Sequence, residues 1–315
     1  MGMYEQIARN KRRTFVMLAA FVLLIAAVAV ALGILFQAGT AIVPIAIVIA
    51  IVMAWTSYFA SDKIALAASR AKPADGPEYA RYHNLVEGLC IAAGLPKPRL
   101  YVVEDPAPNA FATGRNPKHA AIAVTTGLLQ QMNRVELEGV LAHELSHVRN
   151  YDILVSTIAV TAVGAVALMA DLGMRFMWFG GRSGRRDNNG DNPLGLILVI
   201  LAFALLILAP FAAQLMQFAM SRRRELLADA SGVQLTRYPP GLISALKKLQ
   251  DDQAVVHHAT RATAQMWIEN PLERDANGET TIDGQVPAKS RGGRLNRAFD
   301  THPPLAERIA ALEAM

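Results

Sequence analysis

Near the middle of the chain, His143-Glu144-Leu145-Ser146-His147 reads H-E-x-x-H. On a helix of 3.6 residues per turn the two histidines stand one above the other on one face, where their imidazoles can share a single ion. Glu144 projects to the flank of that face, so its carboxylate can reach a water beside the ion without ligating the ion itself. The chemistry suited to this spacing is hydrolysis, with His143 and His147 as zinc ligands and Glu144 as general base. The plain alternative is a solvated helix whose His and Glu are surface groups. Cys90 is the only cysteine, which excludes an intrachain disulfide and any Cys-based zinc cluster. A third ligand must then be another histidine or a carboxylate.

Glu225 is the best candidate, in Ser221-Arg222-Arg223-Arg224-Glu225-Leu226-Leu227-Ala228-Asp229. Asp229 stands one turn further on the same helical face, suited to accept the second N–H of a zinc-bound histidine and fix its tautomer. The competing reading pairs Glu225 with its neighbouring arginines at the surface. The remaining histidines lack comparable context: His257-His258 falls in a polar loop, and His83 and His119 read as surface residues.

The elements that must position these groups follow from periodicity and punctuation. Arg134 to Asn150 reads as a helix with Val135, Val140, Leu141, Leu145 and Val148 among its apolar positions, and Tyr79 to Ala93 as an amphipathic helix stopped by Gly94 and Pro96. Cys90 falls on the apolar side of the second. Arg99 to Glu104 and Ala121 to Thr125 have the β-branched, apolar character of short strands, with Pro106 to Lys118 between them as loop or edge. Residues 71 to 77 read as a linker. Pro239-Pro240 opens a helix to about Gln250, and Pro303-Pro304 opens a last one that buries Leu305, Ile309 and Leu312.

Composition places this domain beside a membrane. Of the 315 residues, 53% are hydrophobic and 18% charged, and the mean hydropathy is +0.26. No charge occurs between Arg13 and Asp62, a stretch holding two apolar runs, Thr14 to Phe36 and Ala41 to Phe59, each near the ~20 residues that span a bilayer. They read as a transmembrane hairpin; the alternative, a cleaved signal peptide, has too long an apolar run. Arg9, Lys11, Arg12 and Arg13 before the hairpin and Lys63, Arg70 and Lys72 after it put both flanks in the cytoplasm. Ile153 to Ala170 and Leu194 to Met220 read as a second hairpin, or, since its loop carries four arginines and its first run is short and Ala/Gly-rich, as a buried or half-inserted one. If the zinc helix continues into the first of these runs, the ion lies roughly 9 Å from the run's start. The expected division is 1–62 an N-terminal transmembrane hairpin, 63–152 the first catalytic part, 153–220 the second hairpin, and 221–315 the second catalytic part. The formal charge of +5 is small and no arginine stripe with interleaved aromatics occurs, so nucleic acid is not an expected partner.

Taken jointly, the N-terminal hairpin, Asn109-Ala110-Phe111-Ala112-Thr113-Gly114, the H-E-L-S-H helix, the second hairpin, the stretch from Ser221 to Asp229, and Thr301-His302-Pro303-Pro304 resemble the HtpX family of membrane-integrated zinc metalloproteases. The resemblance covers almost the whole chain. It implies a mainly α membrane protein with a zincin-type α+β catalytic domain and a small β-sheet. It further implies one zinc per subunit, Glu225 as third ligand, and a stress-response endopeptidase of the cytoplasmic membrane that clears misfolded membrane proteins. Asn109, Ala110, Phe111 and Ala112 would line the cleft, and His302 would approach the active site. His302 is then a candidate donor to the oxyanion; alternatively it only starts the helix beside Pro303-Pro304. An extended substrate would pair with an edge strand by its main chain. Two competitors stand beside this reading. An intramembrane protease is disfavoured because Gln130, Gln131, Asn133, Arg134, Glu136 and Glu138 lead into the motif. A non-enzymatic scaffold with structural zinc would need a fourth ligand and no Glu144.

Overall fold

The structure, a computed structural model, describes residues 8–16, 18–20, 22–23, 42–159, 222–252, 254, 266–268 and 303–315. Four strands form one sheet in the order β1-β2-β4-β3: β1 (Lys72–Pro73), β2 (Arg99–Val103), β3 (Ala110–Gly114) and β4 (Ala120–Thr125). β2 and β4 run parallel, while β1 and β3 pair antiparallel at the two edges. The segment 106–118, open between loop and edge on sequence grounds, thus supplies the edge strand β3. The expected linker contributes β1, at an edge where Pro73 is tolerated.

Alternation along the strands splits the core into two layers. Ala110, Ala112, Ile122 and Val124 face the larger core, whereas Phe111, Ala121 and Ala123 face a smaller one with Ala65, Leu66 and Trp267. The smaller layer is closed by α1 (Ile42–Ala68) with Met266 and Trp267. The larger layer holds α2 (Ala80–Ala93), α4 (Arg134–Arg149), α5 (Arg222–Thr236), α6 (Pro239–Asp251) and α7 (Leu305–Glu313), with the short α3 (Thr126–Gln131) following β4. α2 ends as its sequence demands, with Gly94 left-handed at φ 66°, and Cys90 is buried in the core.

α4 starts in a capping box. The Asn133 side chain accepts from the Val135 and Glu136 amides, and Glu136 returns a bond to the Asn133 amide. Glu136 is also held by Ser244 Oγ at 2.6 Å and Lys248 Nζ at 2.7 Å, so α6 fixes the start of the helix that carries the histidines. Two glycines allow the helices to close on one another: a Cβ at Gly139 would come within 2.8 Å of the Leu242 amide, and one at Gly232 within 3.0 Å of the His143 amide.

The helix carrying His143 and His147 does not continue into the third apolar run. It ends at Arg149, Asn150 caps it, and Tyr151 adopts φ 59° before helical backbone resumes at 152. A left-handed tyrosine costs about 1 kcal/mol or more. It is held by a bond from its own amide to the Val148 carbonyl and by Lys11, whose ammonium lies 4.4 Å from its ring centroid.

Among the described residues no helix is long and apolar enough to cross a membrane. Most of the run from 14 to 36, residues 160–220 with the remainder of the second hairpin, His257-His258, nearly all of 252–300, and Thr301-His302 lie outside the described residues.

Candidate metal centre

His143 and His147 leave the same face of α4 with rings 4.7 Å apart and perpendicular, and their Nε2 atoms 3.2 Å from each other. Glu225, in the first turn of α5, brings Oε2 to 3.7 Å from His143 Nε2 and Oε1 to 3.6 Å from His147 Nε2. The three residues form a group whose donor atoms all lie within 4.8 Å of one another. Both imidazoles turn Nε2 inward because Nδ1 is occupied elsewhere. His143 Nδ1 lies 2.8 Å from Asp229 Oδ1, and His147 Nδ1 lies 3.2 Å from Asp152 Oδ2. Two nitrogens and a carboxylate converging from two helices, with their outer nitrogens already bonded to carboxylates, are the donor set that zinc takes in hydrolytic sites.

Asp229 thus lies against the outer nitrogen of His143, and it has a partner that sequence reasoning missed. Arg308 of α7 is fully buried, donating from Nε at 2.8 Å to Asp229 Oδ2 and from Nη2 at 2.6 Å to Oδ1. Its Nη1 donates to the Ile268 carbonyl at 3.2 Å and lies 4.0 Å from Glu225 Oε2. Burial would raise the Asp229 carboxyl, but Arg308 and His143 outweigh it and hold the group ionised well below the ordinary carboxylate range. The signal was available: Leu305, Arg308, Ile309 and Leu312 share one helical face, so an arginine interrupts an otherwise apolar stripe.

Asp152 was also missed. The break at Tyr151 turns it back toward His147, and its other oxygen accepts from Asn10 Nδ2 at 2.8 Å, with Arg224 Nη1 at 3.6 Å. Asn10 also donates to the Asn150 carbonyl at 2.8 Å, tying the helical residues 8–16 to the end of α4. Burial alone would lower the His147 imidazolium; Glu225, Asp152 and Glu144 more than reverse this and lift it to about 9 in the metal-free chain. A metal ion at this site would have to displace that proton.

Glu144 is 2% exposed, and burial raises its carboxyl above the ordinary value, partly offset by His143 and His147. A carboxylate raised this way accepts protons more readily than a solvated one.

The segment expected to line a cleft is wholly buried. Phe111 points away from α4, edge-on to Trp267 with centroids 4.7 Å apart. The Thr125 amide donates to the Asn109 carbonyl, so ladder bonds fall at 109, 111 and 113, and the amides of Ala110, Ala112 and Gly114 face outward from β4. The Ala110 carbonyl already accepts from the Ile268 amide, and the Gly114 amide donates to Thr157 Oγ1 at 3.3 Å. An edge-strand contact with substrate therefore narrows to Ala112. His83 and His119 join neither the cluster nor each other: His83 Nε2 bonds the Ala74 carbonyl at 2.7 Å, and His119 Nδ1 bonds Asn116 at 2.9 Å.

The family model described as Peptidase family M48 matches residues 77–315. The chain belongs to peptidase family M48. A protease HtpX homolog of Streptococcus gordonii is 43% identical over 314 residues, covering 99% of this chain and 100% of that protein. Another, of Streptococcus mutans serotype c, is 45% identical over 314 residues and 99% of each chain. Within M48 the chain is thus of the HtpX kind, and it is a metallopeptidase. The crystal structure of S. mikatae Ste24p is 19% identical, at a TM-score of 0.44, over 84% of this chain and 56% of that one.

Proposed function

We propose that the protein is a zinc-dependent endopeptidase of the cytoplasmic membrane, with one zinc per subunit on His143, His147 and Glu225. The carrying observation is a buried Glu144 beside three converging donors whose outer bonds are already made. Zinc so held would acidify a water and polarise the scissile carbonyl. Glu144 accepts the attacking water's proton and returns it to the departing amine nitrogen, while Asp229 and Asp152 keep the two imidazoles aimed. His302 is proposed as a donor to the developing oxyanion, on the strength of its Thr-His-Pro-Pro context alone. The substrate lies extended beside β3 near Ala112, paired through its main chain, which accepts many sequences and suits clearance of damaged membrane proteins.

The membrane placement rests on sequence. The uncharged stretch between Arg13 and Asp62, and the runs at 153–170 and 194–220, are apolar enough to enter a bilayer, and the basic flanks favour a cytoplasmic catalytic side. In this reading 63–152 and 221–315 form one catalytic domain.

The test is Glu144→Gln, assayed in detergent for bound zinc and casein hydrolysis. The amide keeps shape but cannot take a proton, so zinc content and melting temperature should stay at wild-type level while turnover falls by roughly 10²–10⁴-fold. Wild-type-like turnover would end the mechanism.

A further inference from the structure

A cavity of about 630 Å³ lies apart from the metal centre, between the helical residues 8–16, the turn joining β3 to β4, and the break after α4. Lys11, Thr14 and Phe15 line it from the first, Arg115 and Lys118 from the second, and Tyr151 from the third. Among the described residues no aspartate or glutamate lines it. Lys11 faces the Tyr151 ring, and Arg115 donates to the Phe59 carbonyl at 3.3 Å while lying 5.1 Å over the Phe59 ring. Among the described residues neither of these cations, nor Lys118, is in an ion pair with a carboxylate. Three like charges around one hollow repel unless an anion joins them.

The cavity's surroundings select the kind of anion. Phe15 is 74% exposed at its wall, and Phe59, whose carbonyl anchors Arg115, is exposed beside the exposed Trp55, ring centroids 4.6 Å apart. A free phosphate gains nothing from such apolar surface, whereas a phosphodiester carrying acyl chains does. The hollow is also within the range of volumes that hold small ligands. We propose that this cavity is a headgroup site for an anionic phospholipid, with the phosphodiester among Lys11, Arg115 and Lys118. The inference rests on the membrane placement proposed above.

The test uses the full chain in neutral detergent, with native mass spectrometry of phosphatidylglycerol and phosphatidylcholine offered in equal amounts. Wild type should retain the anionic lipid in preference by roughly tenfold or more, about one lipid per chain, and Arg115→Gln/Lys118→Gln should bring the ratio close to one. Equal retention of both lipids by wild type, or an unchanged ratio in the double variant, overturns the site. Displacement of the lipid by equimolar inorganic phosphate overturns the lipid assignment in favour of free phosphate. Alkaline carbonate washing of membranes reports placement separately: a chain that stays in the membrane yet shows no lipid preference sinks this inference alone. Matching melting temperatures show that the variants are folded.

Discussion

A guanidinium with no exposure survives in a core only where carboxylate and carbonyl oxygens meet its donors, and Arg308 has both in Asp229 and the Ile268 carbonyl. Asp229 in turn is free of any choice of partner: one oxygen is shared between Arg308 and His143 Nδ1. A three-variant series separates ligand, aligner and clamp, read by competition with a chelator and by thermal unfolding. Glu225→Ala should lose zinc affinity most, because it removes a donor atom. Asp229→Ala should weaken binding by roughly 10–100-fold, as outer partners of ligating histidines do. Arg308→Met should strand the Asp229 charge in the interior and cost about 3–5 kcal/mol of stability, part of which Arg308→Met/Asp229→Leu should recover without recovering zinc. Zinc retention by Glu225→Ala equal to wild type would move the third ligand elsewhere, and an unchanged melting temperature in Arg308→Met would end the clamp. Of these residues, His143, His147, Glu225 and Asp229 were legible because each pair sits four apart on one helix, a spacing that forces a shared face. Arg308 needed only its place in the stripe 305, 308, 309, 312 to be noticed. Asp152 carried no such signal, since five residues from His147 it would point elsewhere on an unbroken helix.

At the scale of elements, the break between α4 and residue 152 is what the sequence could not reveal. Asn150-Tyr151-Asp152 contains neither Gly nor Pro, and tertiary contacts from Lys11 and Asn10 add to the local Tyr151–Val148 bond in holding Tyr151 left-handed. The other elements were legible where local chemistry decides them: the Gly94 stop of α2, the Asn133-Glu136 box of α4, the Pro239 start of α6. β1 was not, because a two-residue edge strand containing Pro73 looks like linker. That the edge of β3 is partly taken by residue 268 depends on a contact more than 150 positions along the chain, beyond any local pattern. The helical residues 8–16 thus reach the metal centre through the Asn10 side chain. Asn10→Ala removes donors to the Asn150 carbonyl and to Asp152, leaving Asp152 to the more distant Arg224 and loosening its hold on His147. Zinc affinity should fall by several-fold, less than for loss of Asp152 itself, while His143 and its partners are untouched. Chelator competition on wild type, Asn10→Ala and Asp152→Ala would show the order, and an Asn10→Ala affinity equal to wild type would break the proposed link.

At the scale of the molecule, the two ligand helices belong to segments separated in the chain by the second pair of apolar runs: α4 ends just before residue 153 and α5 begins just after residue 220. In the sequence those runs separate two halves of one candidate site, so the proposed membrane placement puts the centre close to the membrane surface. The loop between them carries Arg175, Arg182, Arg185 and Arg186, charges that oppose export. Side-selective thiol labelling in sealed membranes decides between spanning and half-inserted forms. Cys90 gives little background, being 3% exposed with its thiol pushed up by burial to about 11, and Cys90→Ser removes it. Ser146 is unsuitable as a probe position, because it is buried with its hydroxyl bonded to the Ala142 carbonyl at 2.9 Å; Ile91, 77% exposed on α2, serves instead. Single cysteines at 91, 183 and 290 should then label as follows. Positions 91 and 290 should react only from the cytoplasmic side, since both lie in the proposed catalytic parts. Reaction at 183 from outside means four spans; reaction there only from the cytoplasm means two spans and a hairpin held at the inner surface. Outside reaction at 91 or 290 would contradict the cytoplasmic site itself, and with it the supply of substrate from cytoplasmic loops and unravelled ends of membrane proteins.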